Sequence, residues 1–351
     1  MPSSQPPRKA RVHLVNPLWD ASGGSDWRTI ETWRLLRPHV DVRLWSEFRP
    51  AEVFARNYPI NAIRPWRLKL PRRGTLVFIG TYFRIGHWTH LASYDRVIVL
   101  YNTHQPERLA KNVGRLAKAG HRPEIVYTSE ALRRTHGGRG RVLQSPIDIE
   151  RFRPPAGTRA PRPFTVGRLS RDIRSKHHEE DASLWRALAS AGCQVRLMGA
   201  LCLEPELRGV PGIELLPAGA EDPAAFLRTL DCFVYRTSAT WFEAYGRVVM
   251  EAMATGLPVV AGTRGGYIEH LRHGINGLAA ASTAEMIEAV LALKADPERA
   301  ARIGAAARSD AVTFNSVVLP QRTIDVLTGA PSPDRLVPDH ESPEENIAHT
   351  G

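Results

Sequence analysis
The stretch EAYGRVVMEAMATGLPVVAGTRGG, residues 243–266, decides the architecture. Val248, Val249, Ala252 and Met253 recur at helical spacing and form one apolar stripe. Gly256 follows the last of them and Pro258 comes just after, which is the pattern of a helix terminus. Residues 257–261, LPVVA, are a short uninterrupted apolar run suited to a parallel strand buried on both faces. The segment therefore reads as a helix over about 244–255 that feeds a buried strand and ends in the turn Gly265-Gly266.

The same stretch carries chemistry. Gly246 falls in the first turn of the expected helix. A missing side chain there lets a ligand reach the backbone, and the free N–H groups and positive dipole end favour a phosphate. Glu243 lies just outside that turn and Glu251 lies two turns in. Carboxylates accept hydrogen bonds from sugar hydroxyls. Either glutamate alone has an ordinary explanation, in the helix dipole or on a solvated face, so the argument rests on the combination. Glu243-Ala244-Tyr245-Gly246-Arg247, then 251–261 (EAMATGLPVVA), then Gly265-Gly266 and Glu269 resemble the donor-site signature of the retaining family-4 glycosyltransferases. That signature runs E-G-F-G-L, E-A-M-A-x-G-x-P-V-V-A, a Gly-Gly turn and a nearby Glu. Residues 273–278, HGINGL, are similar to the family's H-G-x-N-G-L. The resemblance implies an α/β protein of the GT-B class, with two doubly wound Rossmann-like domains facing across a cleft.

Length and composition agree with two domains. The chain of 351 residues is long for one domain. Its 43% hydrophobic content supplies an ordinary globular core. No run of 18 apolar residues occurs, so no membrane span is expected. Residues 1–10 are polar and proline-rich, without the apolar core of a signal peptide. Cys193, Cys202 and Cys232 stand singly, without metal-ligand spacing, which suits a cytoplasmic, disulfide-free enzyme. The net charge of +11 is uneven. Residues 1–160 hold 28 Lys+Arg and 12 Asp+Glu, a net of +16, and the remainder holds 19 and 24, a net of −5. The first half therefore suits an anionic partner, such as an acidic lipid surface, an anionic glycan or nucleic acid, unless the excess merely reflects an arginine-rich proteome.

Along the chain, strands are expected at 11–16, 42–45, 75–80, 96–101 and 124–128, with helical stretches between them. A first domain is drawn at 10–155. The proline-rich segment 154–163 reads as a linker. A second series of strands follows at 164–166, 194–198, 213–216, 232–235 and 258–261, giving a nucleotide-sugar-binding domain at 164–311. By analogy with the family, a helix at about 312–328 crosses back onto the first domain. The polar tail 329–351 is expected to be disordered.

Other pieces add to the site. FTVGRLSRDIRSK, residues 164–176, resembles the family's G-R-L…K segment, whose cations clamp the donor pyrophosphate. Arg and Lys can stabilise a departing diphosphate without a metal. The interval from Arg168 to Lys176 is longer than the family's commonest, so Arg174 competes with Lys176 for the role. The resemblance also implies that Gly23 and Gly24 approach the donor from the first domain and that His104 faces the donor sugar. It assigns Glu251 to the ribose and Glu243 to the sugar hydroxyls, with help from the backbone of Gly246, Arg247, Gly265 and Gly266. Residues 56–73 interleave six basic residues with aromatic and aliphatic ones, fitting either a membrane interface or a basic surface loop. No D-x-D triplet, P-loop or G-x-G-x-x-G after the first strand occurs.

The resemblance thus implies retaining, metal-independent transfer from a nucleotide-diphosphate sugar, with no cofactor and no metal. The acceptor is expected to be a glycan or lipid-linked acceptor in cell-surface polysaccharide or glycolipid synthesis, and the basic segment 56–73 would suit a cytoplasmic enzyme held peripherally at the inner membrane face. The alternatives are a GT-B sugar-nucleotide epimerase or phosphorylase and a basic nucleic-acid-binding protein. No recognition motif supports the last, so no nucleic-acid partner is expected.

Overall fold
The computed structural model describes residues 10–157 and 161–329. Of the tail expected at 329–351, residues 330–351 lie outside the described residues, as do 158–160 of the linker. Strands β1 (Arg11–Val15), β2 (Asp41–Ser46), β3 (Ile60–Ala62), β4 (Thr75–Ile79), β5 (Arg96–Tyr101), β6 (Glu124–Tyr127) and β7 (Arg141–Val142) form one sheet. Its order is 3-2-1-4-5-6-7. Strands β8 (Thr165–Leu169), β9 (Gln194–Met198), β10 (Ile213–Leu216), β11 (Cys232–Tyr235), β12 (Val259–Gly262) and β13 (Leu278–Ala280) form a second, in the order 10-9-8-11-12-13. Every pairing is parallel, as in Val166↔Cys232 between β8 and β11. The protein is thus an α/β molecule with two Rossmann-like sheets.

Side-chain alternation builds a core on both faces of each sheet. On β11, Phe233 and Tyr235 pack with Val249, Met250 and Met253 of the helix Arg247–Ala254. Cys232 and Val234 point the other way, onto Trp185 and Leu188 of the helix Asp181–Ser190. The three strands not expected from the sequence, β3, β7 and β13, are all edge strands of two or three residues. An edge strand buries little and so carries little apolar pattern.

The helix expected over 244–255 is shorter, Arg247–Ala254. Gly246 stands at its N-cap with φ +70°, in the left-handed region, and cannot belong to the first turn. A Cβ there would also lie 2.8 Å from Tyr267 Cβ. Its glycine is thus required by backbone and packing before any ligand is considered.

The helix Pro297–Thr313 runs through a π turn, Phe314–Val318, into the helix Leu319–Thr328. Leu319, Val326 and Leu327 pack on Val12, Leu14, Val77 and Ile98 of the first sheet. Arg96, paired with Glu124 at 2.9 Å, donates to the carbonyls of Val326 at 3.2 Å and Gly329 at 2.7 Å. The helix Leu319–Thr328 is therefore locked to the first sheet. Strand order reverses between β1 and β4 and again between β8 and β11. In open α/β sheets, ligands gather beyond the carboxyl ends of strands at such reversals.

Candidate active site between the two sheets
Glu243 is the centre of the site. It lies in the loop after β11, at the reversal of the second sheet. Its carboxylate pairs with the ammonium of Lys176, which arrives on the loop after β8. The Tyr235 hydroxyl donates to Glu243 Oε2 at 2.7 Å. Burial alone would raise the Glu243 carboxyl. Lys176, the Tyr235 hydroxyl and the Gly246 N–H outweigh it and hold Glu243 below the usual carboxylate range. Lys176 Nζ also lies 4.8 Å from the centre of the Trp241 ring. Arg174, its rival in the sequence, is exposed and turned toward Glu206, 3.9 Å away.

Arg168 lies one layer behind. Its side chain is 1% exposed and its guanidinium is committed to internal partners. It donates to Asp181 Oδ2 at 3.1 Å, to the Arg236 carbonyl at 2.9 Å and to the Lys176 carbonyl at 2.6 Å. In this arrangement Arg168 does not reach the cleft, which corrects its direct assignment to the diphosphate. Buried Asp181 accepts from both Arg168 and Arg236, the latter at 2.8 Å. Beside it, burial and then Arg168 push His177 down to about 3, so this histidine is neutral at pH 7. The two arginines and Asp181 leave one net positive charge directly behind Lys176.

The other assigned residues fall into two groups. His104 is exposed at the carboxyl end of β5, its ring 5.4 Å from Phe242, which precedes Glu243. It therefore meets the Glu243 loop from the opposite sheet. Gly23 caps the helix Gly24–Leu36, and a Cβ there would fall 2.4 Å from Asp26 Oδ2. Gly24 faces Arg247 across the cleft, and a Cβ there would stand 3.8 Å from Arg247 Cδ. Glu251, by contrast, is buried and paired with Arg247 Nε at 2.9 Å. Burial raises its carboxyl despite that partner. Arg247 also donates to Ser145 Oγ at 3.0 Å, at the end of the first half of the chain. The Gly266 N–H is taken by the Glu243 carbonyl at 2.8 Å, so its amide is not free for a phosphate. A Cβ on Gly266 would strike Ser129 Oγ at 2.7 Å, and one on Gly265 would strike Tyr267 at 2.7 Å. Gly266 thus admits the close approach of the first half at Ser129, and Gly265 that of Tyr267 within its own half.

Several contributors were not singled out in the sequence. Tyr235, Trp241, Asp181 and Arg236 carry no spacing signal; their roles depend on the loops after β8 and β11 converging. Glu269 accepts from the N–H groups of Glu130 at 3.1 Å and Ala131 at 2.6 Å, so it caps a helix of the opposite half. Among the described residues, no group of three or more His, Cys, Asp or Glu side chains could hold a metal ion.

Two parallel doubly wound sheets meeting at their carboxyl edges define the GT-B class. Residues 212–310 match the family model described as Glycosyl transferases group 1. Over 121 residues the chain is 36% identical to the D-inositol 3-phosphate glycosyltransferase of Streptomyces griseus subsp. griseus. That match spans 34% of this chain and only 25% of the relative. The fold is similar to Anabaena HepE, solved in complex with UDP and glucose, with a TM-score of 0.71 and 17% identity over 92% of this chain and 100% of that one. It is also similar to sucrose-phosphate synthase from Thermosynechococcus elongatus, with a TM-score of 0.69 and 16% identity over 91% and 98%.

Proposed function
We propose that the protein is a retaining, metal-independent glycosyltransferase that uses a nucleotide-diphosphate sugar. The observation that carries this reading is the ionised Glu243, held by Lys176 and Tyr235 at the strand reversal of a glycosyl transferases group 1 domain. An ionised carboxylate can fix sugar hydroxyls. The Lys176 ammonium, backed by the net positive layer of Arg168, Arg236 and Asp181, can take up charge on a departing diphosphate. Glu251 is offered to the ribose once Arg247 releases it. In a same-face transfer the acceptor oxygen bonds to the anomeric carbon as the bond to the diphosphate oxygen breaks. The acceptor proton passes to that departing oxygen, so no protein nucleophile is required.

UDP sugars are the first donors to try, because HepE was solved with UDP and glucose. Calorimetry with UDP, GDP and ADP sugars, followed by proton NMR of the product anomer, tests the reading. Retained configuration and turnover undiminished in excess EDTA are expected. Inversion, or loss in EDTA restored by Mn²⁺, refutes it. An epimerase would consume donor alone and return an isomeric sugar nucleotide.

The acceptor is proposed to be a glycan or a lipid-linked sugar, met at an anionic membrane face in polysaccharide or glycolipid synthesis. No described helix is long and apolar enough to cross a membrane. Of the apolar residues in 56–73, Ile63 and Leu70 are core, whereas Trp66 and Leu68 are 77% and 69% exposed at a loop tip. Arg64, Arg67 and Lys69 flank them, which suits shallow insertion beside acidic headgroups.

A further inference from the structure
Three loops at the carboxyl edge of the first sheet bring three aromatic rings to the surface. Trp19 follows β1, Phe48 follows β2 and Tyr82 follows β4. The Trp19 ring lies 4.9 Å from Phe48 and 6.3 Å from Tyr82. Trp19 is 49% exposed and Tyr82 40%. Two guanidinium groups frame the rings: Arg84 stands 4.8 Å from the centre of Phe48, and Arg108, on the helix after β5, 4.3 Å from the centre of Tyr82. Among the described residues neither arginine has a carboxylate within ion-pair distance. The nearby Glu47 is occupied by the Arg84 N–H and the Trp88 indole, each at 2.7 Å.

This patch is built and held. Leu18 and Ile85, which flank Trp19 and Arg84, both adopt positive φ, +54° and +42°, an unfavourable conformation for branched side chains. Strain of this kind persists only where the surroundings impose it. The Tyr82 hydroxyl accepts from Gln105 Nε2 at 2.7 Å, and Gln105 in turn accepts from Thr81 Oγ1 at 2.9 Å. Gln105 follows His104, which faces Phe242 and the Glu243 loop. The aromatic patch is therefore continuous with the candidate active site, on the side opposite the donor motifs.

We propose that Trp19, Phe48 and Tyr82 form the subsite for the acceptor, and that the acceptor presents there a sugar ring bearing an acidic group. The inference rests on the glycosyltransferase reading. Aromatic faces carry negative charge and pack against the C–H faces of a pyranose, while the unpaired arginine forks match a carboxylate or a phosphate ester. A neutral ring would use the aromatic surface and leave both guanidinium groups without an anionic partner. The +16 of residues 1–160 gives the same preference at longer range.

The test uses the full chain and three oligosaccharide probes of equal length, ending in glucose, glucuronate or glucose 6-phosphate, with UDP titrated separately. Binding of one or both acidic probes about tenfold or more tighter than the neutral one is expected. W19A/Y82A should lose glycan binding by at least about tenfold, and R84S/R108S should lose only the acidic preference. UDP binding should be unchanged in both variants. The glucuronate and phosphate arms identify which acidic group is read. Equal binding of neutral and acidic probes, no glycan binding, or wild-type binding by W19A/Y82A overturns the proposal. So does an effect of W19A/Y82A on anionic vesicles alone. If the wild type takes acidic glycans here but no sugar nucleotide, the transferase reading fails while the subsite stands.

Discussion
Replacing Lys176 by Met separates the structural and chemical roles of the central ion pair. Both partners are nearly buried, so Met leaves the Glu243 carboxylate with only the Tyr235 hydroxyl and the Gly246 N–H for support. Breaking one side of such a pair costs about 3–5 kcal/mol when the remaining charge stays ionised. The carboxyl can escape part of that cost by taking a proton, because burial, the largest influence on it, then raises its affinity. In the wild type the depressed Glu243 contributes stability above the ordinary carboxylate range, and that contribution fades as pH falls through its folded value. In K176M the sign reverses. The penalty is full at pH 8 and shrinks as pH drops toward about 4, the unfolded carboxyl value. Urea unfolding at pH 8 and pH 5 should show the larger deficit at pH 8. K176M/E243Q, with no buried charge left in the pair, should recover most of the stability and none of the activity. Turnover in both variants should be lower by roughly two or more orders of magnitude, the scale of losing one oriented charge donor. A deficit that does not change between pH 5 and pH 8 would refute the buried-charge argument. Restored turnover in the double variant would remove the pair from catalysis.

Three further outcomes follow from the geometry. R168A should lower stability by about 3–5 kcal/mol, because it strips a partner from buried Asp181 and frees the Lys176 carbonyl; unfolding indistinguishable from wild type would contradict its burial. Burial and then Asp20 raise Asp26 to about 7, so the native state holds a proton that the unfolded chain has released. The Asp26 contribution to stability should fall as pH rises from about 4 to 7, so the stability of wild type relative to D26N should drop across this range, by at most about 4 kcal/mol read from melts. Binding to anionic liposomes should weaken with salt. It should fall at every ionic strength in W66S/L68S, but chiefly at low salt in R64S/R67S/K69S; a wild type that ignores such liposomes at low salt ends the membrane proposal.

The sheets were readable because parallel strands buried on both faces appear as apolar runs, and β5, β9, β10 and β11 coincide with the expected limits. The short edge strands were not readable, since two or three half-covered residues leave no periodicity. Glu243, Lys176 and His104 could be named from motif position and are brought to the same cleft. The choice between Lys176 and Arg174 could not, because both are cations on one loop and only the 3-10 turn Arg174–Lys176 decides which faces Glu243. The glycines at 246, 265 and 266 attract attention as ligand contacts in a sequence. The structure shows instead positive φ at the first two and close approach of neighbouring chain at all three. The aromatic patch was invisible because Trp19, Phe48 and Tyr82 come from separate loops.

The position of Arg168 bears on how charge at the site is organised. A guanidinium exposed in the cleft would meet the diphosphate directly, but water would screen it and its side chain would be free to move. Buried, it cannot make that contact. It fixes the Lys176 backbone through a 2.6 Å hydrogen bond, and with Arg236 it holds Asp181 in place. On the proposed reading, the charge of Lys176 would thereby be presented from a rigid support, with little reorganisation left for the moment a phosphate departs. Tyr235 reinforces this, since the Arg168 guanidinium lies 4.9 Å from the centre of the same ring whose hydroxyl donates to Glu243. One side chain therefore braces both members of the Lys176–Glu243 pair, the cation through its carbonyl and the carboxylate through the tyrosine. On that reading we propose arginine at 168 as a positioning residue. Lysine at that position would keep the charge but lack the fork that reaches Asp181, the Arg236 carbonyl and the Lys176 carbonyl together.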